Sequence, residues 1–247
     1  MSGAVVVPAG GGEIVGDSPD RRVEILSDRD SLAATWTRFG PGREGADLHV
    51  HREHSDLFYV LAGELTVRLG VDDELVTVPA GMLARIPPLV VHGFRNAGAG
   101  ELRLLNLHAP GLRFADYLRG IRDGRPFPFD QHDPPADGGR PVAEAFVSSR
   151  GGVGPASDRD GLRVVSLAEA EAISVAETSA AAGASEPPHV HEGETESLYV
   201  LEGELTVTAG GRELRAPAGA WMQVPPGVTH ALAAAGPARF LAVHTPG

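Results

Sequence analysis

The chain has 247 residues, enough for one large or two compact domains. A formal net charge of −12 with no run of Lys and Arg argues against nucleic acid as a partner, because phosphate binding needs a basic face. With no cysteine, disulfides and thiolate metal sites are excluded, and a cytoplasmic location is expected.

Met1 to Gly12 carries no basic segment followed by an apolar stretch of signal length, and Val5 to Val7 is too short to be one. No apolar run approaches membrane-spanning length, so no membrane is expected. Abundant Gly (32) and Pro (20) with few aromatics favour short strands joined by tight turns, an all-β chain.

His49 and His51 stand at i and i+2 of a predicted strand and so face the same side. The polar stretch Arg52 to Ser55 reads as a turn, with His54 facing solvent, and Asp56 begins the returning strand. Tyr59 alternates away from Asp56 and is expected to pack between sheets. Glu64 to Leu69 alternates as a strand, Asp72-Asp73 suggests a turn, and Leu75 to Val78 resumes the strand. Pro87-Pro88 precedes His92, and Leu102 to Leu107 reads as a closing strand ending near His108. Phe114 to Arg122 reads as a short helix. From 125 to 139 the sequence is rich in Pro, Gly and Asp without periodicity, and a second loose segment runs from Ser148 to Gly161. His132, in the first of these, receives no role.

The same blocks then recur. His189-Val190-His191 follows His49-Val50-His51 by 140 residues, and Tyr199 to Val207 follows Tyr59 to Val67 at the same distance. Pro217-Ala218-Gly219 repeats Pro79-Ala80-Gly81, Pro225-Pro226 and His230 repeat Pro87-Pro88 and His92, and His244 repeats His108. The offset shrinks from 140 to 138 to 136, as loop-length changes in a duplicated domain produce. Gly210-Gly211 is a strong hairpin signal in the second copy. The expected domains are 1–125 and 161–247, with 126–160 as linker and boundary region.

Each copy offers three imidazoles and one carboxylate: His49, His51, Asp56 and His92, then His189, His191, Glu196 and His230. Such a set suits one divalent transition metal (Fe, Mn, Ni, Co, Cu or Zn) and leaves coordination positions open for chemistry. Asp56 is one methylene shorter than Glu196, so it either ligates the ion or stands beside it as a free base. Phe58 and Phe94 share strand faces with proposed ligands and are the expected pocket residues. Leu198 and Leu232 are their counterparts. His108 and His244 are either local strand-end groups or outer partners of the metal ligands.

These residues resemble the two-part motif of the cupins, Gly-x5-His-x-His-x(3,4)-Glu-x6-Gly and Gly-x5-Pro-x-Gly-x2-His-x3-Asn. The second copy matches at His189, His191, Glu196, Gly203, Gly219, Pro225, Gly227 and His230, with Ala234 in place of Asn. The first matches at His49, His51, Gly63, Gly81, Pro87, His92 and Asn96, and departs at Asp56 and Leu89. The resemblance covers roughly residues 22–111 and 162–247. It implies an all-β protein of two tandem cupin double-stranded β-helix (jelly-roll-like) barrels, a bicupin, as a monomer or homodimer. It further implies a metal-dependent enzyme on a small molecule, with a quercetinase-like dioxygenase acting on an enolisable or phenolic substrate and dioxygen as the leading reading. Glu196 or Asp56 would then move the proton. Isomerisation, cyclisation or decarboxylation, and ligand binding without catalysis, are the alternatives. Oxalate-decarboxylating cupins carry Arg three residues before the first ligand histidine, where this chain has Ala46 and Glu186.

Overall fold

The computed structural model describes residues 3–148, 152 and 156–247. Of the segment Ser148 to Gly161, residues 149–151 and 153–155 lie outside the described residues. The chain divides into a compact unit at Glu13–Arg150 and a second built from Met1–Gly12 and Gly151–Gly247.

The strands are β1 (Val5–Val7), β2 (Glu13–Ser18), β3 (Arg21–Asp28), β4 (Ala33–Phe39), β5 (Glu44–His49), β6 (Ser55–Ala62), β7 (Glu64–Leu69), β8 (Glu74–Pro79), β9 (Leu83–Ile86), β10 (His92–Arg95) and β11 (Leu102–Ala109). Helix α1 (Phe114–Asp123) and β12 (Phe146–Val147) follow. The second repeat supplies β13 (Ser157–Arg159), β14 (Leu162–Ala170), β15 (Ile173–Ala180), β16 (Ser185–His189), β17 (Glu194–Glu202), β18 (Glu204–Ala209), β19 (Arg212–Pro217), β20 (Trp221–Val224), β21 (His230–Ala233) and β22 (Ala238–Pro246). In the first unit a seven-stranded sheet β12-β9-β6-β11-β4-β3-β2 faces a four-stranded sheet β5-β10-β7-β8. The second unit repeats this with β1-β20-β17-β22-β15-β14-β13 and β16-β21-β18-β19. Among the described residues no helix is long and apolar enough to cross a membrane.

Alternation along the strands builds each core. Phe58, Val60, Leu65, Val67 and Leu104 fill the first barrel, and Leu198, Val200, Leu205, Val207 and Phe240 fill the second. Tyr59 and Tyr199 are buried on the opposite faces of their strands. Glycine is required where Gly63 (φ 78°) and Gly203 (φ 75°) turn β6 into β7 and β17 into β18. A Cβ there would lie 2.5 Å from the Glu101 carbonyl oxygen or 2.4 Å from that of Pro237.

The stretch expected as linker from residue 126 packs instead with the first repeat. Val50 exchanges backbone hydrogen bonds with His132, at 2.9 and 3.0 Å. Residues 146–147 add β12 to the edge of β9. The N-terminal β1 pairs with β20 and serves the second repeat, capping the equivalent edge. Both are short extra strands that cover an otherwise unpaired edge. Sequence periodicity cannot reveal this, because two or three residues carry no measurable period. Gln223 on β20 is buried and bonds Ser197 at 3.1 Å, whereas Arg85 on β9 is half-buried over the Phe146 ring.

Candidate metal centres

His49 ends β5, Asp56 sits near the start of β6, and His92 begins β10, where it pairs across with His49. His51 lies between β5 and β6, in the turn that brings Asp56 back to the same face. Leu89 sets the geometry of the third arm. It adopts the left-handed conformation (φ 68°), which costs a non-glycine residue about 1–2 kcal/mol. Its N–H donates to the His51 carbonyl at 2.7 Å. Gly227 makes the same bond to His191 at 2.9 Å with φ 74°. The departure at Leu89 therefore preserves the turn.

One donor atom from each of His49, His51, Asp56 and His92 lies within 4.8 Å of the others, and all four residues are buried. His189, His191, Glu196 and His230 form the corresponding group. The ring orientations are fixed from behind. Nδ1–H donates to the carbonyl two residues upstream in His49 (Asp47, 2.7 Å), His92 (Val90, 2.9 Å), His189 (Pro187, 2.9 Å) and His230 (Val228, 2.9 Å). His51 Nδ1–H donates to the Asp130 carbonyl. A carbonyl can only accept, so a ring held this way presents Nε2 inward, as a lone pair when neutral. His230 Nε2 instead lies 2.7 Å from Glu196 Oε2, which outweighs burial and raises its pKa, so that it donates as imidazolium.

Two observations test whether these groups fit a cation. In the first barrel His49 Nε2 and His51 Nε2 face each other at 3.2 Å, and each ring has its Nδ1 on a backbone carbonyl. Burial, with the neighbouring His92 and His51, pushes His49 down to about 3, so that ring is neutral near pH 7. In the second, His191 Nε2 is buried without a hydrogen-bond partner, 3.9 Å from Glu196 Oε2. Converging lone pairs beside a carboxylate are what a divalent ion takes up, so both groups fit one.

Asp56 is close enough to take part despite its shorter side chain. Its Oδ2 lies 3.4 Å from His92 Nε2 and 3.7 Å from His51 Nε2. Burial alone would raise this carboxyl, but His108, His51 and His92 hold it well below the usual carboxylate range. Glu196 behaves alike: burial opposes ionisation, and the bond from His230 Nε2 at 2.7 Å more than offsets it.

Several neighbours escaped the sequence reading. Asp130, in the stretch expected as linker, takes the backbone N–H of Arg52 (3.0 Å) and Glu53 (2.8 Å) on its carboxylate and lies 2.9 Å from His54 Nδ1. His132 Nε2 reaches the same carboxylate at 3.1 Å. His54, expected in solvent, is 1% exposed. Asp130 draws it inward, and its Nε2 lies 2.9 Å from His108 Nδ1. Asn106 donates to Asp56 Oδ1 and to the Leu57 carbonyl. His108 Nε2 donates to Asn106 Oδ1 at 2.9 Å, which makes it an outer partner of Asp56. Asn106 was legible in principle, since it shares a strand face with His108. Asp130 had no local signal. In the second barrel His244 lies 3.9 Å from Glu196, with Ala242 at the Asn106 position.

The first centre opens into a cavity of about 340 Å³ whose wall includes Phe94, Phe114, Tyr117 and Phe129. The second opens into one of about 480 Å³ lined by Leu162, Leu232 and Phe240. Phe94 and Leu232 line these cavities. Phe58 (0% exposed) and Leu198 (1%) belong to the cores instead, and the Phe58 ring sits 4.8 Å behind that of Phe94.

A cupin domain model matches residues 35–108 and 177–244. No curated protein sequence matches the chain. Among solved structures, AerE from Microcystis aeruginosa is 16% identical, with TM-score 0.68 over 96% of this chain and 97% of its own. A variant of Bacillus subtilis oxalate decarboxylase is 15% identical, with TM-score 0.69 over 99% and 77%. A variant of salicylate 1,2-dioxygenase from Pseudoaminobacter salicylatoxidans is 15% identical, with TM-score 0.65 over 88% and 72%. At these identities the likeness is one of fold. Two matched segments, each with its own barrel and its own cluster of inward-facing imidazoles, make this chain a member of the cupin family with two cupin domains in tandem.

Proposed function

We propose that this bicupin is a metal-dependent oxygenase acting on a small enolisable or phenolic molecule, with its active site in the first barrel. The observation that carries the reading is the buried His49, His51, Asp56 and His92 group at the end of an aromatic-walled cavity. A divalent transition metal held there would lower the pKa of a substrate hydroxyl and, if redox-capable, bring dioxygen into reach. The chain's own residues then have separate tasks. Asp56 is the base nearest the centre, and its Oδ1 is steadied by Asn106. His108 backs that contact at 3.7 Å from Asp56 Oδ1. Phe94 and Phe129 keep the approach apolar, which strengthens electrostatic contacts inside. The second barrel would keep its ion for structure, since His189 and His191 are only half-buried.

The likeness to salicylate dioxygenase and oxalate decarboxylase structures is compatible with oxygenation and with non-redox decarboxylation. Ala46 and Glu186 lack the guanidinium expected for a small dianion, which favours the first. The test is oxygen consumption by metal-analysed protein with flavonol and β-diketone substrates. Uptake that is lost in Asp56→Ala and kept in Glu196→Ala supports the proposal. Turnover without oxygen would replace it by the non-redox reading, and binding without turnover by a ligand carrier.

A further inference from the structure

Arg21 lines the cavity of the first centre, together with Arg43 and Tyr117. It is half-buried, and among the described residues no carboxylate or carbonyl is bonded to its guanidinium. Burial lowers its pKa and the nearby charge of Arg43 lowers it further, while Tyr117 and the Asp20 carboxylate offset only part of this. Arg43 is itself only partly satisfied. Its Nη1 donates to Asp20 at 3.0 Å, but its Nε is buried without a partner. Asp20 is also taken by the Ser18 hydroxyl at 2.7 Å. Of the two acids at the same wall, Glu44 and Asp47, both are exposed and Glu44 pairs with Arg95. Two adjacent guanidiniums in a partly dry cavity, short of anions, form an incomplete site: leaving such charge unpaired costs more than pairing it.

The sheet register places this site relative to the histidines. Arg21 pairs with Phe39, which pairs with Leu102. His108 lies six residues further along β11, on the same face. At ~3.3 Å per residue the two backbone rows are about 20 Å apart, a gap that the side chains shorten. An aromatic wall spans it. Phe114 stacks 3.7 Å from His108, Phe129 lies 5.0 Å from Phe114, and Tyr117 lies 5.1 Å from Phe129. In the second barrel the corresponding pairings put Leu162 in the place of Arg21 and Ala180 in that of Phe39.

We propose that the first barrel binds an elongated organic anion, its acidic group held by Arg21 and Arg43, its planar apolar body along Phe114, Phe129 and Tyr117, and its opposite end at the histidine group. This rests on the reading of the first barrel as the active site and names the class of molecule it takes. Arg21 is the residue that sets the preference for an anion; the second barrel has Leu162 at that position, and the Arg159 at its cavity is exposed.

The probes are cinnamate and cinnamamide, equal in shape and different in charge, titrated calorimetrically into the full chain with and without metal. Cinnamate binds at least tenfold more tightly than cinnamamide in both preparations. Arg21→Leu, which copies Leu162, removes that ratio and leaves cinnamamide affinity and metal content unchanged. Arg21→Lys restores part of it. Arg21→Gln, a milder change at the same wall, gives the same loss should the leucine variant fold poorly. Equal affinities for the two probes overturn the proposal. So does a ratio that survives in both Arg21→Leu and Arg21→Gln, or one that vanishes on metal removal, since the ion would then be the anion receptor. Arg21-dependent discrimination without oxygen uptake overturns only the oxygenase reading. Oxygen uptake without discrimination overturns only the anion site.

Discussion

His49 Nε2 and His51 Nε2 stand 3.2 Å apart, and each ring has already given its Nδ1–H to a backbone carbonyl. Two lone pairs meeting at hydrogen-bond distance repel unless a cation or a proton lies between them. The metal-free first barrel should therefore be less stable than the loaded one. At a metal concentration ~100-fold above Kd the gain is about 3 kcal/mol, and the thermal midpoint rises by about 5–10 °C. Differential scanning fluorimetry with chelator and with added Mn, Fe or Ni checks this. His49→Ala should reduce bound metal from two ions to one per chain by elemental analysis, and a variant that still binds two would rule out the assigned ligand set.

Asp130 holds the turn between His51 and Asp56 through Arg52, Glu53 and His54, and its own carbonyl fixes His51. Outer contacts of this kind typically change metal affinity 10- to 100-fold. Asp130→Ala should weaken the first site by about that factor and leave the second unchanged. Competitive metal titration resolves the two sites. Equal weakening of both, or of neither, would contradict the role.

Phe58 and Phe94 should separate core from cavity. Phe58 is fully buried, so Phe58→Ala should destabilise by ~3–5 kcal/mol in chemical denaturation. Phe94 is half-buried at the cavity, so Phe94→Ala should cost less stability and change ligand affinity more. The reverse ranking would place the cavity wall wrongly.

Glu13 on β2 accepts from Arg119 (2.6 Å) and Arg122 (2.9 Å) of α1. Those two hydrogen-bonded guanidiniums hold its carboxyl below the ordinary 4.5. A depressed folded pKa gives stability that is complete above 4.5 and is lost as pH falls through the lower folded value. Glu13→Gln should lower the thermal midpoint at pH 7 by about 1–2 °C, a small effect because the pair is exposed. The difference from wild type should close as the pH falls below the folded pKa. A difference that persists at pH 2 would show that the contact is not the cause.

The sequence by itself determined the two-barrel architecture, the eight candidate ligands and the tandem duplication. Those features are periodic: His49 and His51, two apart on a strand, recur as His189 and His191. Alternation also placed Tyr59 and Tyr199 on the faces opposite the ligands. Only the tertiary structure decided what surrounds each centre. Asp130 reaches His54 across 76 residues, and Arg21 reaches the same cavity from a strand ahead of the motif. Strand alternation gives a side chain's face, but not which of several same-face residues meets the cavity, so Phe58 and Phe94 could not be separated. The physical reason is common to all three cases. Local patterning reports on neighbours one or two residues away, whereas the wall and the outer hydrogen bonds of the site come from strands, a loop and a helix distant in sequence, whose meeting depends on packing over the whole unit.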